Sequence, residues 1–446
     1  MKKILLIGAG RSSTVLIDYL LSRSQSEEWL ITVGDISEEL VRSKVGDHPN
    51  SRAIRFNSSD SSQCSIEVSN ADLVISLLPA NMHVEVARQC VESGKSLVTA
   101  SYIAPEMRAL DQEARNKGVL LLNECGLDPG IDHMSAMEIF REITAQGGRL
   151  DAFYSYTGGL VAPESDDNPW GYKFSWNPRN VILAGQGTAC FMEGGKQRYL
   201  PYQRLFLQSR PVSVPGAGTF DGYANRDSLM YRKLYDIENI PTLLRGTLRK
   251  QGYCRAWHVF VQLGLTDDSY SLENSSSMSY ADLVAALLPE RASGETLRQA
   301  VARCCGFSES EPAMQLVEWT GIFSDLPIGA EKVTPAQALQ KLLEPRWLLK
   351  SDDKDLVVMQ HRFHYSIGSK KMVRTSSLIV KGEDQSRTAM AKTVGLPIGI
   401  AARNILNGNI HEKGVALPLS EGICKPILAE LKSHGVDFTE QVEELA

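Results

Sequence analysis

The stretch Ile4-Leu5-Leu6-Ile7-Gly8-Ala9-Gly10-Arg11-Ser12-Ser13 decides how the first third of the chain folds. Four consecutive aliphatic residues suit a strand buried on both faces. A strand that turns at once into Gly-x-Gly points to a parallel sheet with a nucleotide at its carboxyl edge. The first glycine permits the tight turn, and the second lets backbone approach a pyrophosphate at the N-terminus of the next helix, where N–H groups and the helix dipole favour an anion. Ser13 holds the place of the third glycine and is small enough for close helix–strand packing. Gly8, Gly10, Arg11, Ser12 and Ser13 are therefore candidate cofactor contacts.

Outward from that loop, 30–33, 73–78, 96–100 and 119–122 are also strand-like. Between them lie helical patterns, with Val15, Leu16, Tyr19 and Leu20 in one and Val84, Val86, Ala87 and Val91 in another. Strands alternating with helices predict an α/β fold with a doubly wound parallel sheet. Asp35 ends the second strand, where a carboxylate bonds both ribose hydroxyls and repels a 2′-phosphate, so NAD is expected in preference to NADP. The other role open to Asp35 is N-cap of a helix through Ser37-Glu38-Glu39. Ile36 beside it, and Leu77, Leu78 and Thr99 at the next two strand ends, complete the expected cofactor set. Ser101 and Tyr102 follow at the same edge, placed to face substrate and nicotinamide.

At 446 residues the chain exceeds one ordinary core. Its 43% apolar and 22% charged residues match an average globular protein. A net charge of −6 supplies no basic face for nucleic acid. The eight cysteines include no CxxC pair, which argues against a disulfide framework or a zinc ribbon and for buried thiols in a reducing compartment. Lys2-Lys3 and the short apolar run imitate a signal peptide, but the run breaks at Gly8, and no apolar stretch is long enough to span a bilayer. A cytoplasmic enzyme that does not span membranes is expected. His361 and His364 fall on opposite faces of a strand-like tract, so no metal site is expected. His133, at a helix start after Asp128-Pro129-Gly130, suits a structural role better than acid–base work.

The texture changes after Asp128-Pro129-Gly130, becomes helical from about 279 to 350, and returns to strands at 356–359 and 378–380. This predicts a dinucleotide-binding domain of 1–127 and 390–446, a mixed α/β substrate domain of 128–250 and 351–389, and a helical insertion of 251–350. Helical patterns at 389–407 and 424–434 are expected to return to the first domain.

Several longer tracts carry a resemblance. They are Asp72-Leu73-Val74-Ile75-Ser76-Leu77-Leu78-Pro79, Val98-Thr99-Ala100-Ser101-Tyr102, Gly126-Leu127-Asp128-Pro129-Gly130-Ile131-Asp132-His133-Met134, Tyr172-Lys173-Phe174-Ser175-Trp176, Asn225-Arg226-Asp227-Ser228, Leu244-Arg245-Gly246-Thr247-Leu248-Arg249 and Ala391-Lys392-Thr393-Val394-Gly395-Leu396-Pro397. In this order they resemble the L-glutamate-forming saccharopine dehydrogenases over nearly the whole chain.

The resemblance implies oxidation of saccharopine to L-glutamate and 2-aminoadipate 6-semialdehyde in lysine metabolism, with breakdown favoured by the use of NAD. It implies substrate contacts from Ser101, Tyr102 and Asp128 on the dinucleotide side and from Arg226, Thr247, Leu248 and Arg249 in the substrate domain. Tyr102 and Asp128 are the candidates for proton transfer, and a homodimer is implied. Arginine suits a substrate with three carboxylates, because it grips each through two parallel hydrogen bonds. Arg245 is divided between a salt bridge and a ligand contact. Many members carry cysteine where Thr157 stands, so a thiol role there is absent. The competing readings are a carboxyspermidine-type or other opine-like reductase and a redox-inactive nucleotide-sensing protein.

Overall fold

The aliphatic run becomes strand β1 (Lys2–Ile7), in which residues 4 to 7 are each at most 1% exposed. Such burial needs strands on both edges and layers on both faces. Its sheet is completed by β2 (Trp29–Asp35), β3 (Ser51–Arg55), β4 (Leu73–Ser76), β5 (Ser96–Thr99), β6 (Leu120–Leu122) and, from far along the chain, Gly414–Ala416. The order is β3-β2-β1-β4-β5-β6 with Gly414–Ala416 last, and every pairing is parallel. Chain order reverses between β1 and β4, and ligands of such sheets bind beyond the strand carboxyl ends at that reversal. The fold is the doubly wound α/β architecture expected.

The computed structural model describes residues 1–289 and 291–445. It divides into two compact units, the first made of Met1–Gly148 and Val380–Phe438 and the second of Arg149–Ile379 with the residues from Thr439 on. In the first unit, helix Thr14–Arg23 buries Leu16, Ile17, Tyr19 and Leu20. Helix Ala389–Leu406 lies close against it because Gly395 and Gly399 have no side chains. A Cβ there would come within 2.9 Å of the Leu16 nitrogen and 2.5 Å of the Tyr19 ring.

The second unit is built on β7 (Arg149–Val161), β8 (Ala189–Glu193), β9 (Lys196–Leu200), β10 (Arg210–Val214), β11 (Gly218–Ala224), β12 (Thr242–Lys250), β13 (Asp355–Ile367) and β14 (Lys370–Lys381). The order is β10-β11-β12-β7-β13-β14, with Phe438–Leu445 beside β14 and the β8–β9 pair joined to β12. β12 runs parallel to β7, whereas β11 and β13 are antiparallel to their neighbours. Helices from Tyr253 to Trp347 in this unit start on their own signals: Ser279, Thr296 and Thr334 each close a reciprocal side-chain cap with the residue three positions on. Trp170, Tyr172, Tyr253, Trp257 and Trp347 pack together at the centre of its core.

Three features depart from the sequence reading. β3 has no aliphatic run, because an edge strand needs only partial burial. Phe438–Leu445, charged and mostly exposed, pairs with the second sheet although the sequence reading kept it with the first domain. Cys304 is exposed and Cys190 and Cys305 only part-buried, while the other five cysteines are buried as expected and all eight are free. No helix among the described residues is long and apolar enough to cross a membrane.

Candidate active site

The loop after β1 turns where Gly8 takes φ +103, and a Cβ there would lie 3.0 Å from the Leu77 carbonyl oxygen. Only glycine fits both demands. Gly10 by contrast meets nothing within 4 Å, an open backbone face that a pyrophosphate could approach. Arg11–Ser13 form a single tight turn ahead of helix Thr14–Arg23, with Arg11 exposed and Ser12 half-buried. Ser13 is fully buried, and its hydroxyl donates to the Gly10 carbonyl at 2.8 Å.

Lys44 also serves this loop, and sequence reasoning missed it. Its ammonium donates to Gly10 O at 2.6 Å and to Ser13 Oγ and Thr14 Oγ1 at 3.0 Å each. Burial pulls Lys44 down to about 8, against the opposing charges of Asp35 and Asp18. No local motif marks it; only the docking of helix Glu38–Val45 brings it there.

Asp35 stands at the end of β2, as placed from sequence. Its Oδ2 accepts the Ala9 N–H at 2.7 Å and its Oδ1 the Ser37 N–H at 3.2 Å. The N-cap of the following helix is Ser37, which accepts from Leu40 N–H. Ile36 is 67% exposed. Arg55 occupies the register position beside Asp35 on β3, which puts a basic residue at the same strand end.

At the ends of β4 and β5, Leu77 and Leu78 are part-buried and Thr99 is 1% exposed. Here the structure adds His83, absent from the sequence-derived site. Its Nδ1 lies 2.8 Å from Ser76 Oγ and its Nε2 2.7 Å from Ser101 Oγ. Burial pulls His83 down to about 4, so it is neutral near pH 7. In sequence it is only the first residue of an amphipathic helix, with nothing to distinguish it.

Tyr102 and Asp128 do come together: the Tyr102 hydroxyl donates to Asp128 Oδ1 at 3.1 Å. The loop carrying Asp128 is held shut by Gly130, at φ +148, where a Cβ would fall 2.1 Å from the Gly126 oxygen. Its neighbours are tied to the Tyr102 segment through Glu124, whose N–H donates to Ser101 O at 3.1 Å and whose Oε1 accepts from Ile103 N–H at 3.0 Å. Glu124 Oε2 lies 2.8 Å from His133 Nε2, and His133 Nδ1 is 3.5 Å from Asp132 Oδ2. All three side chains are at most 1% exposed, in keeping with a structural role for His133.

In the second unit, Thr247 and Arg249 share one face of β12 by strand alternation, and Leu248 points to the other. Thr247 lies in register with Tyr223 of β11 and Thr157 of β7. The hydroxyl of Thr157 is buried without a hydrogen-bond partner. Leu248 is fully buried, and a Cβ on Gly158 would lie 2.8 Å from it. Arg249 is 3% exposed, with its guanidinium over the rings of Tyr172, Tyr253 and Tyr223 at 5.1, 5.5 and 6.0 Å. One Nη donates to Leu248 O, while Nε has no hydrogen-bond partner. Arg226 is exposed, in a left-handed turn at φ 49 beyond β11. Arg245 is buried and packs over Tyr231 at 4.1 Å. His361 lies against Phe153 and His364 against Tyr154, neighbours on opposite faces of β7.

Two family models match in tandem: the saccharopine dehydrogenase NADP binding domain over residues 4–122 and the saccharopine dehydrogenase C-terminal domain over 126–436. The L-glutamate-forming, NADP(+) saccharopine dehydrogenase of Schizosaccharomyces pombe is 32% identical over 99% of both chains. The mitochondrial alpha-aminoadipic semialdehyde synthase of Bos taurus is 35% identical, with the match covering 99% of this chain and 48% of that relative. Apo L-glutamate-forming saccharopine dehydrogenase from Saccharomyces cerevisiae superposes with a TM-score of 0.87 at 31% identity, covering 99% of this chain and 100% of that one.

These matches overturn the expectation of NAD, because the matching nucleotide-domain model and the curated dehydrogenases are named for NADP. The Asp35 carboxylate would exclude a 2′-phosphate only if it acted alone at the strand end. In the fold both oxygens are engaged by backbone N–H groups, and Arg55 stands alongside. With consecutive models spanning nearly its whole length and relatives more than 30% identical end to end, the chain belongs to the saccharopine dehydrogenase family.

Proposed function

We propose that this protein oxidises saccharopine with NADP and water to L-glutamate, 2-aminoadipate 6-semialdehyde and NADPH. The observation that carries the reading is the end-to-end likeness to L-glutamate-forming enzymes, joined to the Tyr102–Asp128 pair at the carboxyl edge of the dinucleotide-type sheet. Gly8, Gly10, Arg11, Ser12 and Ser13 would hold the pyrophosphate, and Arg55 and Lys44 supply cations around Asp35. When bound there, NADP would supply the hydride acceptor for oxidation at the lysine-derived carbon next to the secondary amine.

The rest falls to the protein's own side chains. Ser101, Tyr102 and Asp128 orient the substrate on the first unit. Arg226, Thr247 and Arg249 are the carboxylate contacts of the second, and Leu248 serves only as core behind them. Tyr102 donates to Asp128, so the pair holds one hydroxyl proton beside a carboxylate, a set able to steady the amine and the water that hydrolyses the imine.

The test is an assay of NADPH appearance with purified protein and saccharopine, followed by identification of glutamate in the product mixture. Saccharopine-dependent reduction of NADP with glutamate released is the expected result. No reduction, or lysine and 2-oxoglutarate as products, would refute the proposal.

A further inference from the structure

The hydrogen bonds around His83 restrict where its proton can sit. Ser76 is fully buried and His83 is 3% exposed, whereas Ser101 is half-buried at the strand edge. The neutral ring carries one N–H, on Nδ1 toward Ser76 or on Nε2 toward Ser101. With the proton on Nδ1, Ser76 Oγ would be the acceptor and its own hydrogen would need a partner. Among the described residues Ser76 Oγ bonds only to His83, so that hydrogen would be buried without an acceptor. With the proton on Nε2, the two short contacts are both satisfied: Ser76 donates to Nδ1 at 2.8 Å and Nε2–H donates to Ser101 Oγ at 2.7 Å, while Thr99 Oγ1 lies farther from Nε2, at 3.5 Å. One lone pair of the Ser101 oxygen is then taken by the ring N–H, and the hydroxyl hydrogen is turned away from the ring. Thr99 Oγ1 accepts the Ser101 N–H at 3.3 Å and fixes the backbone beneath it.

We infer that His83 is a positioning residue, locked by Ser76 as the Nε2–H tautomer so that the Ser101 hydroxyl is presented as a hydrogen-bond donor to a carboxylate oxygen of the substrate. The identity of that acceptor rests on the saccharopine reading, which the inference deepens. A lone serine could rotate to accept from an ammonium as readily as it donates to a carboxylate. Held by His83, it discriminates: carboxylates, which only accept, are favoured at this position over ammonium groups, which only donate.

Two measurements test it. In protein labelled with 15N at histidine, with the His83 signals assigned through His83→Gln, Nδ1 should resonate as an unprotonated nitrogen and Nε2 as a protonated one. The reverse pattern overturns the proposal, whatever the substrate proves to be. In a double-mutant cycle, His83→Phe and Ser101→Ala should each raise the KM for saccharopine by about tenfold with little change in kcat, as loss of one oriented hydrogen bond implies. The double variant should be no worse than either single one, because both act through one hydroxyl. His83→Gln, whose amide N–H can still reach Ser101, should recover part of the loss. A multiplicative double variant, an unchanged KM in His83→Phe, or no recovery in His83→Gln overturns it. Wild-type protein that does not turn over saccharopine would sink the functional reading and leave the tautomer measurement to decide this one.

Discussion

Replacing Arg249 by methionine separates a substrate group from a structural one. Taking the guanidinium out of water costs several kcal/mol, and no carboxylate among the described residues is paired with it. What offsets the cost is the three tyrosine rings, at roughly 0.5–2 kcal/mol each, and one charge-assisted bond to Leu248 O, at about 1.5–3 kcal/mol. The terms nearly cancel, and methionine refills the space between the rings with a flexible apolar side chain. Arg249→Met should therefore change stability by less than about 2 kcal/mol, a shift of at most roughly 8 °C in Tm for a unit of this size. If the guanidinium awaits a substrate carboxylate, its loss should raise the KM for saccharopine by about tenfold to a hundredfold while NADP binding is unchanged. Steady-state kinetics, differential scanning calorimetry and a fluorescence titration of NADPH give the three readouts. A large fall in Tm with an unchanged KM would refute the reasoning and make Arg249 part of the core.

Three other outcomes follow from the first and second units. Glu124→Gln removes one charge from the fully buried Glu124–His133–Asp132 group, and a loss of about 3 kcal/mol, or roughly 6–12 °C in Tm, is expected; an unaltered melt would show the group contributes nothing. Gly130→Ala places a Cβ 2.1 Å from the Gly126 oxygen at φ +148, so the Asp128 loop must open and saccharopine turnover should fall at least tenfold, and full activity in that variant would mean the loop does not position Asp128. His83 and His258 are both pulled down to about 4 by burial, from an ordinary 6.5. Between those values the unfolded chain binds more protons than the folded one, so stability should rise with pH from about 4 to 6.5 and be complete above that window. Melts across that range should flatten in a His83→Phe, His258→Phe double variant, and an equally steep dependence would rule these two histidines out as its source.

Much of the fold was legible because its signals are local. An aliphatic run ending in Gly8-Ala9-Gly10 has few structural solutions, and the strands and helices of the first sheet repeat that pattern with the apolar periods their burial requires. The Tyr102 and Asp128 tracts could be named for the same reason: they sit at strand ends or in a tract specific enough to resemble a family. What escaped had no local mark. β3 and Phe438–Leu445 are edge strands, held by backbone pairing that any polar sequence can supply. Leu248 looked equivalent to Thr247 and Arg249 along the chain, and only the strand's alternation in a sheet covered on both faces turned it into core.

The sequence by itself determined a doubly wound sheet with a phosphate loop, a second unit of mixed strands and helices, and the family to which both belong. Only the tertiary structure decided what each polar group does, because a proton's position and a charge's worth depend on neighbours distant in the chain. Asp35 read as a sign of NAD preference, and only the fold showed that its oxygens also accept from Ala9 and Ser37 and that Arg55 pairs in register with it on the next strand. Lys44 and His83 were ordinary helix residues until packing put one under the phosphate loop and the other between two serines. Burial made the difference, since removing water turns each hydrogen bond in these clusters from an exchange with solvent into a requirement.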